Sequence, residues 1–396
     1  MTDQKSDLSR RHLLTAGMGA ASAVLLASGC QALRPAAARP TLTGQPQPLD
    51  LAPDADIRCG IIGVGGRGTG VLRAIHNVPK VRVTAVCDLN QENLDRAMGI
   101  VADDQPTAFG DYQQMLKSDL VDTVFVMTPC YLHAPMAIAV LESGRHCYCE
   151  KPMAINTRDL DRMVRTVQDT GKVLQVGTQL PHASPWHGAI KAVHDGEIGE
   201  PVLIHAQRHN AGDLPHHIPW FFKRKLSGDT ILEQAVHEFD IFNAIFKGVP
   251  TQASASGGQA VLFDPPGRDI MDHYGLILDY GKNQRVVYTH SWIAIPKAPH
   301  GGRVEMVYGT KGCVDVEAGM IYPRDGEPRK VNPEPAGDST QVAVQNFFDC
   351  VRQGKHPLTD VIRGRDGALV ALLGLKAIDT NRVVTMQELL AKGYSA

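Results

Sequence analysis

Short apolar runs punctuated by turn residues recur along the first half of the chain. Cys59 to Ile62, Val81 to Cys87 (VRVTAVC), Val121 to Met127 (VDTVFVM), Arg145 to Cys149 and Lys172 to Val176 each read as a strand. Helix-length segments lie between them: Thr69 to Asn77, His133 to Ser143 with Gly144 as the stop, and Asn156 to Thr170. Strands alternating with helices predict a parallel, doubly wound sheet, because parallel neighbours need a crossover connection. Beyond residue 176 the pattern changes. Val202 to Gln207, Thr251 to Gly257, His273 to Asp279, Gln284 to His290 and Val304 to Tyr308 show the alternation of strands with one buried face. Gln341 to Cys350 and Gly364 to Thr380 read as helices that pack back on the first half. The pattern divides the chain into 1–38, an arm at 39–54, a first domain at 55–175 and a second α/β domain at 176–396.

The first segment is an address. Ser9-Arg10-Arg11-His12-Leu13-Leu14 places two arginines before an uncharged stretch rich in Ala and Gly, Leu13 to Ala27. Its length suits a signal core and is marginal for a permanent membrane span. This predicts twin-arginine export, to the periplasm or to a membrane anchor. Two exits are open. Ala27-Ser28-Gly29-Cys30 resembles a lipoprotein box that would lipidate Cys30, and Ala36-Ala37-Ala38 offers an ordinary cleavage site. The first is preferred. Residues 39–54, with Pro40, Pro46, Pro48 and Pro53, read as an extended arm.

Composition narrows the partners. A length of 396 residues suits two domains, and 40 basic against 42 acidic residues, without a basic stripe, argue against nucleic acid. The eight cysteines (Cys30, Cys59, Cys87, Cys130, Cys147, Cys149, Cys313, Cys350) contain no C-x-x-C pair. Buried free thiols are expected rather than a disulfide framework or a zinc site.

Chemistry enters at the first strand end. Gly63-x-Gly65-x-x-Gly68 follows an apolar strand and opens a helix, the arrangement of the dinucleotide fingerprint and of a Rossmann domain. The first glycine makes the turn, the second admits pyrophosphate, and the third lets the helix pack close to its strand. The helix start turns free N–H groups and a positive dipole end toward phosphates. Asp88 ends the second strand, 20 residues beyond Gly68, where it can accept from ribose hydroxyls. Its charge would repel a 2′-phosphate, favouring NAD over NADP, although Arg67 could offset that repulsion. Gly63, Asp88, Thr128 and Glu150 all fall at carboxyl ends of strands, where ligands of such sheets sit.

Thr128-Pro129-x-x-x-His133 followed by Glu150-Lys151-Pro152 resembles the glucose–fructose oxidoreductase / inositol dehydrogenase (Gfo/Idh/MocA) family. The resemblance continues through Gly196-Glu197-Ile198-Gly199 and Glu233-Gln234-Ala235-Val236-His237-Glu238-Phe239-Asp240, covering most of residues 57–375. It implies a second domain built on an open, mostly antiparallel sheet, with the substrate between that sheet and the nicotinamide. It also implies dimers or tetramers, and adds Thr128, Pro129, His133, Glu150, Lys151 and Gln179 to the cofactor set.

The site residues carried over are Lys151, His237 and Asp240. Lys151, partly desolvated near a cationic nicotinamide, is expected to lose basicity and relay a proton. His237 would be the general base, with Asp240 on the same helical face to orient it or hold a hydroxyl. Glu233, four residues before His237, is expected on that face too, at a position where many dehydrogenase members have Asp binding a sugar hydroxyl. A Glu233–His237 metal pair lacks a third ligand, so no metal is expected. Seven histidines (182, 187, 194, 205, 209, 216, 217) follow Gly177-Thr178-Gln179, and His209 is the one expected to touch substrate. Trp186 and Trp220 could stack on a sugar or pack in the core.

Two chemistries fit. One is dehydrogenation of a secondary hydroxyl of a sugar or cyclitol, with the cofactor tightly held because free NADH outside the cytoplasm has no obvious route to reoxidation. The other is redox-neutral glycoside cleavage, through transient oxidation, elimination, water addition and reduction. A non-catalytic sensor of nucleotide or sugar is opposed by the presence of Lys151, His237 and Asp240.

Overall fold

The computed structural model describes residues 39–52, 54–211, 218–296 and 301–396. The twin-arginine motif, Cys30, the Ala36-Ala37-Ala38 site, Pro53, His216 and His217 lie outside the described residues.

The first half builds a parallel sheet from β1 (Ile57–Ile62), α1 (Gly66–His76), β2 (Val81–Cys87), α2 (Gln91–Ile100), β3 (Thr107–Phe109), α3 (Tyr112–Lys117), β4 (Thr123–Val126), α4 (Cys130–Glu142), β5 (His146–Cys149), α5 (Thr157–Thr170) and β6 (Leu174–Val176). The strand order is β3-β2-β1-β4-β5-β6, which reverses direction beside β1 and opens the crevice where ligands of such sheets bind. Both faces are buried, so the strands are near-continuous apolar runs. One difference from the pattern is β3. Its three residues are partly or fully exposed on an edge strand, so no hydrophobic alternation betrays it.

The second half contains α6 (Trp186–His194), β7 (Pro201–Ala211), α7 (Arg224–Ser227), α8 (Asp229–Glu233), α9 (Val236–Phe246), β8 (Gln252–Gly258), β9 (His273–Gly281), β10 (Gln284–Ala294), β11 (Gly302–Gly309), β12 (Gly312–Asp315), β13 (Met320–Pro323) and β14 (Arg329–Lys330), then α10 (Ser339–Gln353), α11 (Val361–Thr380), β15 (Val384–Thr385) and α12 (Met386–Lys392). Its nine strands run β14-β13-β12-β11-β7-β10-β9-β8-β15. Only β7 with β10 is parallel; the other pairs are antiparallel.

One face of this sheet is covered and the other is open. On β9, Tyr274, Leu276, Leu278 and Tyr280 are buried, while Ile277 between them is exposed. Phe239 and Phe242 of α9 meet the ring of Tyr288 from β10 edge-on at 5.6 and 5.8 Å. α10 returns to the first domain: Phe347 and Phe348 pack on Phe125, which stacks on Tyr148 at 4.7 Å. The arm is docked in extended form. Gln47 N–H donates to Gly171, Leu49 N–H donates to Val351, and Arg39 pairs with buried Asp366. Every described cysteine is unpaired, and all but Cys313 are buried.

Candidate active site

The glycine turn is built as its spacing requires. Gly63 has φ +88, and a Cβ there would meet Met127 O at 2.8 Å. At Gly68 a Cβ would come 2.0 Å from Gly63 O, so only glycine lets α1 approach β1 this closely. α1 starts three residues earlier than its apolar periodicity indicated, with Gly65 as N-cap and no side chain capping it. Its first N–H groups therefore remain available to an anion. Asp88 is fastened to the turn: Oδ2 accepts from Val64 N–H at 2.7 Å and Oδ1 from Asn90 N–H at 2.8 Å.

Arg67, in the first turn of α1, is turned inward. Its Nε donates to Glu150 Oε1 at 2.7 Å and its Nη1 to Thr340 Oγ1 at 3.1 Å. Glu150 Oε2 accepts from Lys151 N–H at 2.8 Å. Burial pushes the Glu150 carboxyl upward, but Arg67 and Lys151 outweigh it and hold the group ionised below its ordinary range. Glu150 is thus a clamp between β5 and α1 rather than a free cofactor ligand. His133 is also structural. Its ring is 2% exposed, and its nitrogens lie 2.8 Å from Pro152 O and 2.7 Å from Thr128 O, tying α4 to both strand ends. Pro129 caps α4, which begins at Cys130 rather than His133.

Around this cradle, Thr128 Oγ1, Thr178 Oγ1 and Gln179 Oε1 are buried with no hydrogen-bond partner. Orphaned buried polar atoms are costly, and three of them at the carboxyl ends of β4 and β6 point to a polar ligand.

Lys151 differs from expectation. Its Nζ donates to Glu233 Oε1 at 2.7 Å and to the Glu233 carbonyl. Burial, the largest single influence, lowers its basicity, but Glu233 and Glu150 together reverse the effect and the net shift is upward. Lys151 is a held ammonium, not a weakened base. Glu233 is accordingly committed: its second oxygen accepts from Gln234 Nε2. The helical-face reading of Glu233 and His237 also fails. α8 ends at Glu233 and α9 begins at Val236, with the turn Gln234-Ala235 between them, so the two side chains belong to successive helices.

His237 opens α9, and its Nδ1 is buried without a partner. Burial, followed by the charges of Lys151, Arg208, Arg303 and Arg67, holds the imidazole well below its usual range, so it is neutral. Asp240 does not orient it. Both Asp240 oxygens pair with Arg363 of α11, through Nε and through Nη2 at 3.0 Å. The i, i+3 spacing is right, but a closer guanidinium takes the carboxylate.

His209 is on the wrong face. On β7, Ile204, Ala206 and Arg208 point to the helices, so His209 points to the open side. There its nitrogens lie 2.7 Å from Ser291 Oγ and 3.0 Å from Thr289 Oγ1, beside a shallow hollow of about 460 Å³. Trp186 lies on the covered side, with the Arg303 guanidinium carbon 5.9 Å from its ring centre. Trp220 packs in a small apolar cluster with Phe221 and Ile270.

Several residues at the site escaped the sequence reading: Arg208, Gln234, Glu238, Arg303 and Glu305. A signal was available. Ile204-x-Ala206-x-Arg208-x-Asn210 and Val307-x-Glu305-x-Arg303 keep core phase while turning charged, so the floor of the sheet becomes polar toward the cleft.

The glycine cradle, with an ammonium and a neutral imidazole supplied by separate parts of the chain, defines a two-domain dinucleotide-binding protein of the α/β class. Family models agree in both halves. The model described as "Oxidoreductase family, NAD-binding Rossmann fold" matches residues 57–178, and the "GFO/IDH/MocA C-terminal domain" matches 186–315. The chain belongs to the Gfo/Idh/MocA family. It is 28% identical over 189 residues to an inositol 2-dehydrogenase of Salmonella paratyphi B, covering 47% of this chain and 54% of that one. It is 31% identical over 208 residues to a glycosyl hydrolase family 109 protein of Shewanella amazonensis, covering 50% and 45%. The chain thus spans about half the length of these curated relatives. The crystal structure of scyllo-inositol dehydrogenase from Lactobacillus casei, with NAD(H) and scyllo-inositol, superposes with a TM-score of 0.72 at 18% identity, over 84% of this chain and 99% of that one. At that identity the likeness shows the fold.

Proposed function

We propose that this protein is an NAD-dependent oxidoreductase acting on a secondary hydroxyl of a sugar, cyclitol or derivative. The observation that carries it is a Lys151 ammonium whose charge acts on the buried, neutral His237, beside a cradle with unpartnered polar atoms. The cradle fits the cofactor. A Cβ at Gly65 or Gly66 would enter open space, the α1 N-terminus is uncapped, and Thr128, Thr178 and Gln179 offer unused oxygens. Asp88 favours NAD, and Arg67, spent on Glu150, is poorly placed to welcome a 2′-phosphate. Bound there, NAD would accept the hydride from the substrate carbon. His237 takes the hydroxyl proton, and the Lys151 ammonium donates to the oxygen as negative charge develops on it. Glu233 holds that ammonium in place.

Redox-neutral glycoside cleavage is the second reading, favoured by the likeness to the family 109 glycosyl hydrolase. It needs another base beside the acidified carbon, and His209 cannot serve from the open face. Two measurements separate the readings. Lys151→Met should abolish turnover while sparing cofactor binding, and equal turnover in the variant overturns the role of Lys151. Release of phenol from aryl glycosides without added NAD supports cleavage; its absence across a broad panel counts against it. We also propose twin-arginine export, a lipid anchor at Cys30, a cofactor retained through purification and homo-oligomers. Arg10-Arg11, the Ala27-Ser28-Gly29-Cys30 box and the open sheet face support these readings.

A further inference from the structure

We infer that the substrate carries a carboxylate in addition to its oxidisable hydroxyl, and that Arg208 and Arg303 receive it. The inference rests on the oxidoreductase reading and names the substrate class for the same cleft: a sugar acid, such as a uronate or an aldonate.

Arg208 on β7 and Arg303 on β11 are register partners on the helix-covered face of the sheet. Each side chain is 19% exposed, mostly desolvated yet open along one edge. A single carboxylate oxygen serves both: Glu238 Oε1 lies 2.5 Å from Arg303 Nη2 and 3.4 Å from Arg208 Nη1. Among the described residues, Arg208 makes its other contacts with Gln234, donating to Oε1 at 2.7 Å and to the carbonyl at 3.4 Å. That places it one residue from Glu233, the partner of Lys151. Nε and Nη1 of Arg303 make no hydrogen bond among the described residues. Trp186 closes one side of Arg303, and its own Nε1 is buried without a partner.

Among the described residues, Glu238 is the buried carboxylate that the two guanidiniums share. Glu305, the other carboxyl beneath Arg303, is fully buried, and neither of its oxygens has a partner. Burial and the neighbouring Glu238 raise it to about 8, so it keeps its proton and neutralises nothing at pH 7. Glu317, 3.8 Å from Arg303, is 39% exposed at the rim, where water weakens its attraction. Among the described residues, then, one fully buried carboxylate serves two largely buried guanidiniums, with Glu317 a partly exposed second partner of Arg303. Burial first, and then the charges of Lys151, Arg208, Arg303 and Arg67, hold the neighbouring His237 imidazole below its usual range. A carboxylate oxygen can accept from the unused Nε of Arg303, and its charge adds a partner in a mostly dry site. A neutral polyol brings no charge to that pair.

The test uses the full chain with bound cofactor and three matched pairs: D-glucuronate with D-glucose, D-galacturonate with D-galactose, and D-gluconate with D-glucitol. At least one acid should exceed its neutral partner in kcat/KM for NAD reduction by about 10- to 100-fold. In Arg303→Gln that ratio should fall toward one, with retained NAD binding as the check that the variant is folded. Ligand-induced shifts in melting temperature of the unmutated protein give a readout independent of turnover. A shift with an acid and none with its neutral partner supports the inference, and equal or absent shifts across all pairs overturn it. Turnover of neutral sugars in preference to acids also overturns it while leaving the oxidoreductase reading intact. An acid-specific shift without NAD reduction sinks that reading and keeps the carboxylate site.

Discussion

Arg208 and His209 are adjacent in the chain, yet they occupy different environments. The side of the nine-stranded sheet under α9 and α11 is dry, and Arg208 and Arg303 there pair with the buried Glu238. The other side is open, and its polar groups, such as His209 with Ser291 and Thr289, are paired with hydroxyls at the surface. A histidine of similar sequence context can therefore be a neutral base or a surface group. The neighbouring charges and the loss of water distinguish them, not the residue type.

This contrast sets a graded series of outcomes. The largest effect belongs to His237→Asn, where kcat should fall by about 10²- to 10⁴-fold with cofactor affinity nearly unchanged. Because its imidazole is held well below the usual range, the unmutated enzyme should keep a level kcat/KM from pH 8 through the ordinary imidazole range, and lose activity only in more acidic solution as the base is protonated. Steady-state rates against pH check both points.

Asp240→Asn comes next, as a stability effect. It strands the Arg363 guanidinium in the interior at a cost of about 3–5 kcal/mol in denaturant unfolding. Turnover per folded molecule should drop less than tenfold, because Asp240 does not touch His237. A catalytic collapse with unchanged stability would restore it to the chemistry.

Glu305→Gln is smaller and depends on pH. The folded state raises this carboxyl from 4.5 to about 8, so native stability is fully present below pH 4.5 and drains away as pH rises toward 8. The glutamine variant lacks that loss. It should match the parent near pH 4.5 and exceed it at pH 8 by on the order of 2–4 kcal/mol, read by calorimetry. The smallest effect belongs to His209→Ala on the open face: kcat/KM within about twofold and a stability loss near 1 kcal/mol. A large catalytic defect there would erase the distinction between the two sides.

Much of the cofactor side was legible. Gly63, Gly65, Gly68 and Asp88 act through backbone shape and strand-end position, which local spacing reports directly. Arg67, His133 and Glu150 were located correctly at that crevice but with a different task. Arg67 meets Glu150 from 83 residues away and His133 meets Pro152 from 19, and a motif does not say which donor meets which acceptor. On the substrate side, the structure brings the Lys151 charge to bear on His237. Glu233 and Asp240 were misjudged because the turn Gln234-Ala235 and the distant Arg363 redirect them.

Periodicity and glycine placement thus established the two sheets, the dinucleotide turn and the family from the chain alone, because each depends on contacts between near neighbours. Folding settled the protonation of Lys151, the partner of Asp240, the face of His209 and the arginine pair over Glu238. Charge interactions inside a dry core depend on which side chains converge from remote segments. A linear pattern carries no record of that distance or of the water excluded on the way.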